Sequence, residues 1–313
     1  MIATLTMNPC IDKTVEISNF FYGDINRVIK KRKDISGKGI NVSIALSNLG
    51  IPVRTFGLLY ENDREKLLKS LERYGIEYEN VPVEGCLREN VKVYNNVDNV
   101  TTELNENGAR VPQEKAREFV DFLEKAMDSI DTLVVTGSLP PGIAPEFYKE
   151  IIKKAKKHNV KCILDAEGAP LLKGMEAEPY MIKPNLFEFK VAFGLKTEDM
   201  GEILKKCREI IAGGVEVVCL SMGEKGAVIT DGKSAYLCRP VSTEVKSTQG
   251  AGDSMVAGIC MALEQRMGID SMLKYGIAVA GGSLMKEGTQ MCEKEDFEKF
   301  VKEAAAEPLA YPW

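Results

Sequence analysis

The stretch Gly250-Ala251-Gly252-Asp253 sets two glycines around one alanine, then a carboxylate, then an apolar, helix-forming run from Met255 to Leu263. A glycine turn that opens a helix leaves several backbone N–H groups unpaired. They point outward together with the positive end of the helix dipole. Such a turn is an anion site, and phosphate fits it. A cradle for a resting phosphate has no use for a negative side chain beside its ligand. Asp253 therefore points to a more specific chemistry, the removal of a proton from a hydroxyl that attacks a phosphoryl group. The plainer reading is an acidic residue favoured by the dipole in a helix's first turn. On these four residues alone both readings stand.

A second glycine turn lies near the start. Ser36-Gly37-Lys38-Gly39-Ile40-Asn41 precedes Val42, Ala45, Leu46 and Leu49 at helical spacing, with Gly50 as the stop. Its glycines let backbone approach a ligand closely, and Lys38 and Asn41 supply polar groups at the helix start. The G-x-x-x-x-G-K-[ST] nucleotide loop is absent, as is the G-x-G-x-x-G dinucleotide fingerprint. The near miss Gly226 to Ser234 has one residue too many, and its Asp231-Gly232 reads as a hairpin turn between strands at 227–230 and 235–238. His158, the only histidine, ends a lysine-rich helix and reads as solvent-facing, which argues against a histidine-centred triad.

The elements that must position these turns alternate along the chain. A strand at 2–7 stops at Asn8-Pro9, a half-exposed strand follows at 14–17, and residues 27–33 carry five basic side chains in strand-like sequence. Strand 53–59 and helix 64–74 lead into a polar β excursion over 76–108. Pro112 opens a helix, and strand 132–136, helix 145–158, strand 160–165 and strand 179–183 come next. This alternation predicts an α/β fold with a mainly parallel sheet covered by helices on both faces. Ligands of such sheets gather at the carboxyl ends of the strands. Ser138, Asp165, Lys183-Pro184-Asn185 and Ser221-Met222-Gly223 all fall there. The 313 residues read as one domain (1–313), with the β segments at about 11–35 and 76–108 forming a single small lid.

A net charge of −5 argues against a general nucleic-acid binder, and no aromatic residue interleaves the basic run. Eight cysteines without a C-x-x-C pair read as reduced thiols. The first residues lack a basic leader and are broken by Asn8-Pro9, and no apolar run approaches the ~18 residues of a membrane helix. A cytoplasmic protein without membrane partners is the expectation. Trp313 has two readings, docking on the core or fraying.

In this order, the motifs resemble those of the ribokinase-like sugar kinases, the phosphofructokinase B family. Gly37-Lys38-Gly39-Ile40-Asn41 and Thr248-Gln249-Gly250-Ala251-Gly252-Asp253 are similar to its two signatures. Asn185-Leu186-Phe187-Glu188 is similar to its N-x-x-E motif, and Ser221 to Gly226 to its glycine turn near the nucleotide. The resemblance extends from Met1 to about Gly288. Asn8-Pro9-Cys10-Ile11-Asp12, Asn26-Arg27-Val28 and Gly137-Ser138-Leu139-Pro140-Pro141-Gly142 resemble the branch of 1-phosphofructokinases and tagatose-6-phosphate kinases. Ser36 stands where a glycine is usual, Cys10 where alanine is common, and Ser247 and Gln249 replace more typical neighbours.

The resemblance implies a three-layer α/β/α domain with a small β-sheet lid. It also implies an ATP- and Mg²⁺-dependent transfer of the γ-phosphoryl group to a primary hydroxyl of a ketohexose phosphate. Fructose 1-phosphate is the first expectation and tagatose 6-phosphate the alternative; a non-catalytic sugar-phosphate or nucleotide sensor is the remoter one. By resemblance Asp253 is the base, and the N–H groups of Gly250, Ala251, Gly252 and Asp253 hold the transferring group. Asp12, Asn41, Gly37, Lys38, Gly39 and Ser138 face the sugar, and Arg27, Arg88 and Lys92 its phosphate. Lys183, Asn185, Ser221, Gly223, Gly226 and Gly252 belong to the nucleotide, with Asn185 and Glu188 toward Mg²⁺. Asn185 and Glu188 equally fit a helix cap, and Arg27 a surface charge. A homodimer through the lid is the remaining expectation.

Overall fold

The computed structural model describes residues 1–310, so Trp313 lies outside the described residues. The chain opens with β1 (Ile2–Thr6), β2 (Cys10–Ile17) and β3 (Val28–Ser36). Then come α1 (Lys38–Asn48), β4 (Val53–Tyr60), α2 (Arg64–Glu72) and β5 (Tyr78–Val83). The hairpin β6 (Arg88–Asn95) and β7 (Val100–Asn105) precedes α3 (Gln113–Glu124), for which Pro112 is the N-cap. The middle alternates: β8 (Thr132–Thr136), α4 (Phe147–Lys157), β9 (Lys161–Asp165), α5 (Gly168–Met175), β10 (Met181–Ile182), α6 (Leu186–Phe193) and α7 (Met200–Ala212). β11 (Val217–Ser221) and the hairpin β12 (Ala227–Thr230) and β13 (Ala235–Cys238) follow. The chain then runs through α8 (Ala251–Glu264), α9 (Ile269–Leu284), α10 (Lys294–Glu303) and β14 (Ala306–Pro308).

The large sheet has the order β14-β13-β12-β11-β10-β9-β8-β1-β4-β5. Its pairs from β5 to β11 are parallel, and β12, β13 and β14 add an antiparallel edge. β1 and β8 are buried at every residue, as strands covered on both faces must be. Helices α1, α8, α9 and α10 pack against one another on one side, and α3, α4, α5 and α6 pack in series on the other. The three-layer reading therefore holds.

The small sheet, β3-β2-β6-β7, is separate. β2 pairs antiparallel with β3 and parallel with β6, so residues about 80 positions apart lie side by side. This corrects one boundary of the lid expected over 76–108. Its first strand, β5, lies parallel beside β4 on the edge of the large sheet. Only the part from Arg88 onward belongs to the small sheet.

Candidate active site

A cavity of about 560 Å³ opens where the carboxyl ends of β1 and β8 meet the inner end of the small sheet. Of the residues read as functional, Asp12, Gly37, Lys38, Asn41, Arg88, Lys92, Ser138, Gly250 and Asp253 line it. They come from five different segments, brought together because strand ends and helix starts share one rim of a parallel sheet.

Asp253 sits in the first turn of α8 and is buried. Gly250 caps this helix with φ 73°, a left-handed conformation that glycine adopts without strain. The first intrahelical bond runs from Ser254 N–H to the Gly250 carbonyl, and Ala251 N–H donates to the Thr248 carbonyl at 3.4 Å, which leaves the N–H groups of Gly252 and Asp253 ahead of the ladder. Asn41 Nδ2 donates to Asp253 Oδ2 at 2.7 Å, and Ser36 Oγ donates to Asn41 Oδ1 at 3.2 Å. The serine found where glycine is usual thus orients Asn41. Burial raises the Asp253 carboxyl from its ordinary 3.8 to about 6; Lys38, the Asn41 bond and Lys183 pull it down, and Asp165 pushes it up.

Across the cavity Asp12 is buried at the start of β2. Its Oδ1 accepts from Asn90 Nδ2 at 2.9 Å, and its Oδ2 faces Lys92 Nζ at 3.1 Å. Lys92, expected beside a phosphate, is therefore paired with Asp12 inside the small sheet. Cys10 lies against the same carboxylate, Sγ to Oδ1 3.6 Å, and burial pushes its thiol up to about 12, so the sulfur is a neutral wall. Arg88 Nε donates to the Asn8 carbonyl at 3.2 Å, and Nη1 donates to Asn90 Oδ1 at 3.0 Å and to the Glu106 carbonyl at 3.1 Å. These contacts fix the guanidinium plane at the cavity wall and leave Nη2 for a ligand.

The pfkB family carbohydrate kinase profile matches residues 3–296. The chain belongs to the pfkB family of carbohydrate kinases. Within this family it is 31% identical over 310 residues to a 1-phosphofructokinase of Borreliella burgdorferi, covering 99% of each chain. It is 31% identical over 291 residues to a 1-phosphofructokinase of Rhodobacter capsulatus, covering 93% of this chain and 92% of that one. Phosphofructokinase-2 of Escherichia coli, solved in complex with substrates and products, superposes with a TM-score of 0.89 at 25% identity, over 96% of this chain and 98% of that one.

Other expected residues of this pfkB kinase lie elsewhere. Arg27 precedes Val28, which pairs with Ile17 at the outer end of the small sheet, whereas Ser36 pairs with Cys10 at the inner end. Nine residues of strand separate Arg27 from Ser36 by roughly 30 Å. Within one chain Arg27 is an exposed surface charge and does not reach the cavity. Gly39 is outside the lining too, and packing explains it: a Cβ there would stand 2.2 Å from the Leu5 carbonyl oxygen. Gly226 is likewise required by backbone, because its Cβ would stand 2.1 Å from the Cys238 carbonyl oxygen.

Lys183, Asn185 and Ser221 are neighbours on the far side of the α8 turn. Asn185 and Ser221 form a parallel bridge, and Lys183 Nζ lies 3.6 Å from where a Gly252 Cβ would be. Gly223 takes φ 57° in the short turn that follows β11. Asn185 and Glu188 make a full capping box: Glu188 N–H donates to Asn185 Oδ1 at 2.9 Å, and Asn185 N–H to Glu188 Oε2 at 2.8 Å. The capping reading holds, and Glu188 Oε1 is not used by it. Among the described residues no cluster of three His, Cys, Asp or Glu is arranged to hold a metal, and no helix is long and apolar enough to cross a membrane.

Asn90 and Asp165 were not read as site residues. Asn90 grips Asp12 from a strand 78 residues away, and only the β2–β6 register reveals it. Asp165 was visible as a strand end; its partners were not.

Proposed function

We propose that this pfkB kinase moves the γ-phosphoryl group of ATP to the free primary hydroxyl of fructose 1-phosphate, giving fructose 1,6-bisphosphate and ADP. The observation that carries the reading is a buried carboxylate, Asp253, standing on the cavity wall within the helix turn whose N–H groups face outward. The naming of its near-full-length relatives as 1-phosphofructokinases supports the substrate.

In this reading Asp253 takes the hydroxyl proton as the sugar oxygen bonds to the γ-phosphorus and the bond to the bridging oxygen of ADP breaks. The N–H groups of Gly252 and Asp253 stabilise the charge of the transferring group, and Lys38 and Lys183 flank it. Although burial works against its charge, Lys38 is held above the ordinary lysine range by Asp165, Asp253, Glu188 and Glu167. It therefore stays a cation at any working pH. Asn41 aims Asp253, and Asp12, aimed by Lys92 and Asn90, binds sugar hydroxyls with Ser138 opposite. The nucleotide lies along Lys183, Asn185, Ser221 and the Gly223–Gly226 turn.

Glu188, keeping one carboxylate oxygen beyond its cap, is the group that would hold Mg²⁺, with Asn185 beside it. The fit is reasonable, because Mg²⁺ keeps several waters and takes other ligands from the nucleotide phosphates, whose charge it neutralises when bound. Glu188→Gln should raise the Mg²⁺ concentration for half-maximal turnover by roughly tenfold. An unchanged Mg²⁺ titration would remove Glu188 from this role.

Arg88 is the clamp for the substrate's own phosphate. Arg88→Ala is expected to raise KM for fructose 1-phosphate more than tenfold with a smaller change in kcat, the mark of lost ground-state binding. Steady-state kinetics with unchanged KM would rule this out.

The chain acts as one catalytic domain with the small sheet as its lid, in a reducing cytoplasm that suits its free cysteines. Outer residues of that sheet and of its β2–β3 connection, among them Tyr22, Ile25, Val28, Ile29, Val100 and Leu104, expose apolar side chains. A second copy of the chain is the partner that covers them. Light scattering should report a dimer, and a monomer at micromolar concentration would contradict it.

A further inference from the structure

Asp165 ends β9 with its side chain 1% exposed, and it does not line the cavity. Its Oδ1 lies 3.4 Å from Lys38 Nζ and 3.4 Å from Lys183 Nζ. Lys38 comes from the start of α1 and Lys183 from the end of β10, so two cations from distant segments converge on one oxygen. Thr136 Oγ1 donates to the Asp165 backbone carbonyl at 2.9 Å and lies 3.4 Å from Oδ2, fixing the carboxylate at the strand end. Lys183 is itself buried, 4% exposed, and reaches the Gly252 turn. A buried carboxylate with this geometry persists only because both cations face it. Although burial opposes it, Lys183 and Lys38 hold the Asp165 carboxyl below the usual carboxylate range. It is an anion at every working pH, and it acts on both lysines and on Asp253.

We infer that Asp165 is a positioning residue for phosphoryl transfer: it fixes Lys38 and Lys183 on either side of the α8 turn, and its negative charge keeps Asp253 avid for the proton it must take. The inference rests on the reading of Asp253 as the base. The groups facing Asp253 are Lys38 and Asn41 from α1, Asp165 from β9 and Lys183 beyond β10. Glu188 of α6 and Glu167 beyond β9 act on Lys38 in turn. Without the Asp165 charge, two uncompensated lysines would face Asp253. They would favour its ionised form and leave a weaker base.

The test is the pH dependence of kcat at saturating ATP and fructose 1-phosphate, with folding of each variant checked by circular dichroism and thermal melting. For Asp165→Asn the midpoint of the acid limb should fall by about one pH unit, and the plateau should drop at least tenfold. For Lys38→Gln the limb should move in the opposite direction, up by about one unit. Asp165→Glu, which keeps the charge, should hold the limb at the parental midpoint. Opposite shifts from two neighbouring substitutions are not produced by loosened packing. A limb that stays in place in Asp165→Asn, or moves the same way in Asp165→Asn and Lys38→Gln, overturns the inference. Should Asp165→Asn fail to fold, the direction of the Lys38→Gln shift decides. Asp253→Asn separates the two levels: turnover in that variant overturns both the base and the inference. An inactive Asp253→Asn with an unmoved limb in Asp165→Asn overturns the inference alone.

Discussion

Asp253→Asn is expected to lower kcat by about 10³–10⁴-fold while making the protein more stable. Loss of activity follows from losing the proton acceptor, because asparagine keeps the shape and the contact with Asn41 but cannot take a proton. The gain in stability follows from the sign of the shift. The Asp253 carboxyl moves from 3.8 to about 6 on folding, so the folded state binds its proton more tightly than the unfolded chain. Between these values stability falls as pH rises, and above about pH 6 the ionised form is a net cost to the fold. A neutral isostere removes that cost, up to about 3 kcal/mol at neutral pH. Thermal melting at pH 7 should show a higher midpoint for Asp253→Asn, and the difference should vanish near pH 4. In the parent enzyme kcat should fall as pH drops through about 6. A variant that melts lower than the parent at pH 7 would mean that Asp253 is held by structural need, not strained for function.

Gly39→Ala is expected to cost more than ~3 kcal/mol, enough to leave little folded protein at 37 °C. The new Cβ would stand 2.2 Å from the Leu5 carbonyl oxygen. That carbonyl belongs to β1, which pairs with β4 through Leu5 and Phe56 and with β8 through Leu5 and Val135. It cannot withdraw without opening the centre of the sheet. Gly252→Ala is the contrast, since the nearest atom to its Cβ is Lys183 Nζ at 3.6 Å. It should fold normally in urea denaturation yet lose at least ~10²-fold in kcat by crowding the anion turn. Normal stability for Gly39→Ala would show that α1 can shift away from β1.

These two glycines show what a sequence reveals and what it withholds. Both stand in motifs that read as ligand cradles. Only the fold separates Gly252, which keeps space open, from Gly39, which lets a helix lie against a strand. Local features were legible: Asp231-Gly232 turns the hairpin between Ala227–Thr230 and Ala235–Cys238, and the Asn185–Glu188 cap closes as its spacing predicts. β5 was misread as part of the lid, because Glu79, Asn80 and Pro82 give an edge strand the same polar look as an exposed flap. Register decided the remaining differences. Lys92 meets Asp12, and Arg27 lies just before the outer end of β3, because of how β2 pairs with β6 and β3. The Asp165 cluster joins residues 38, 165 and 183, and nothing short of the folded sheet brings them together.

ADP release measured over a panel of sugar phosphates tests the transfer of phosphate from ATP to fructose 1-phosphate most directly. The highest kcat/KM should belong to fructose 1-phosphate, with tagatose 6-phosphate and fructose 6-phosphate well below it and the product identified as fructose 1,6-bisphosphate. ADP release no faster with any sugar phosphate than without would contradict catalysis altogether, and a clear preference for tagatose 6-phosphate would contradict the substrate.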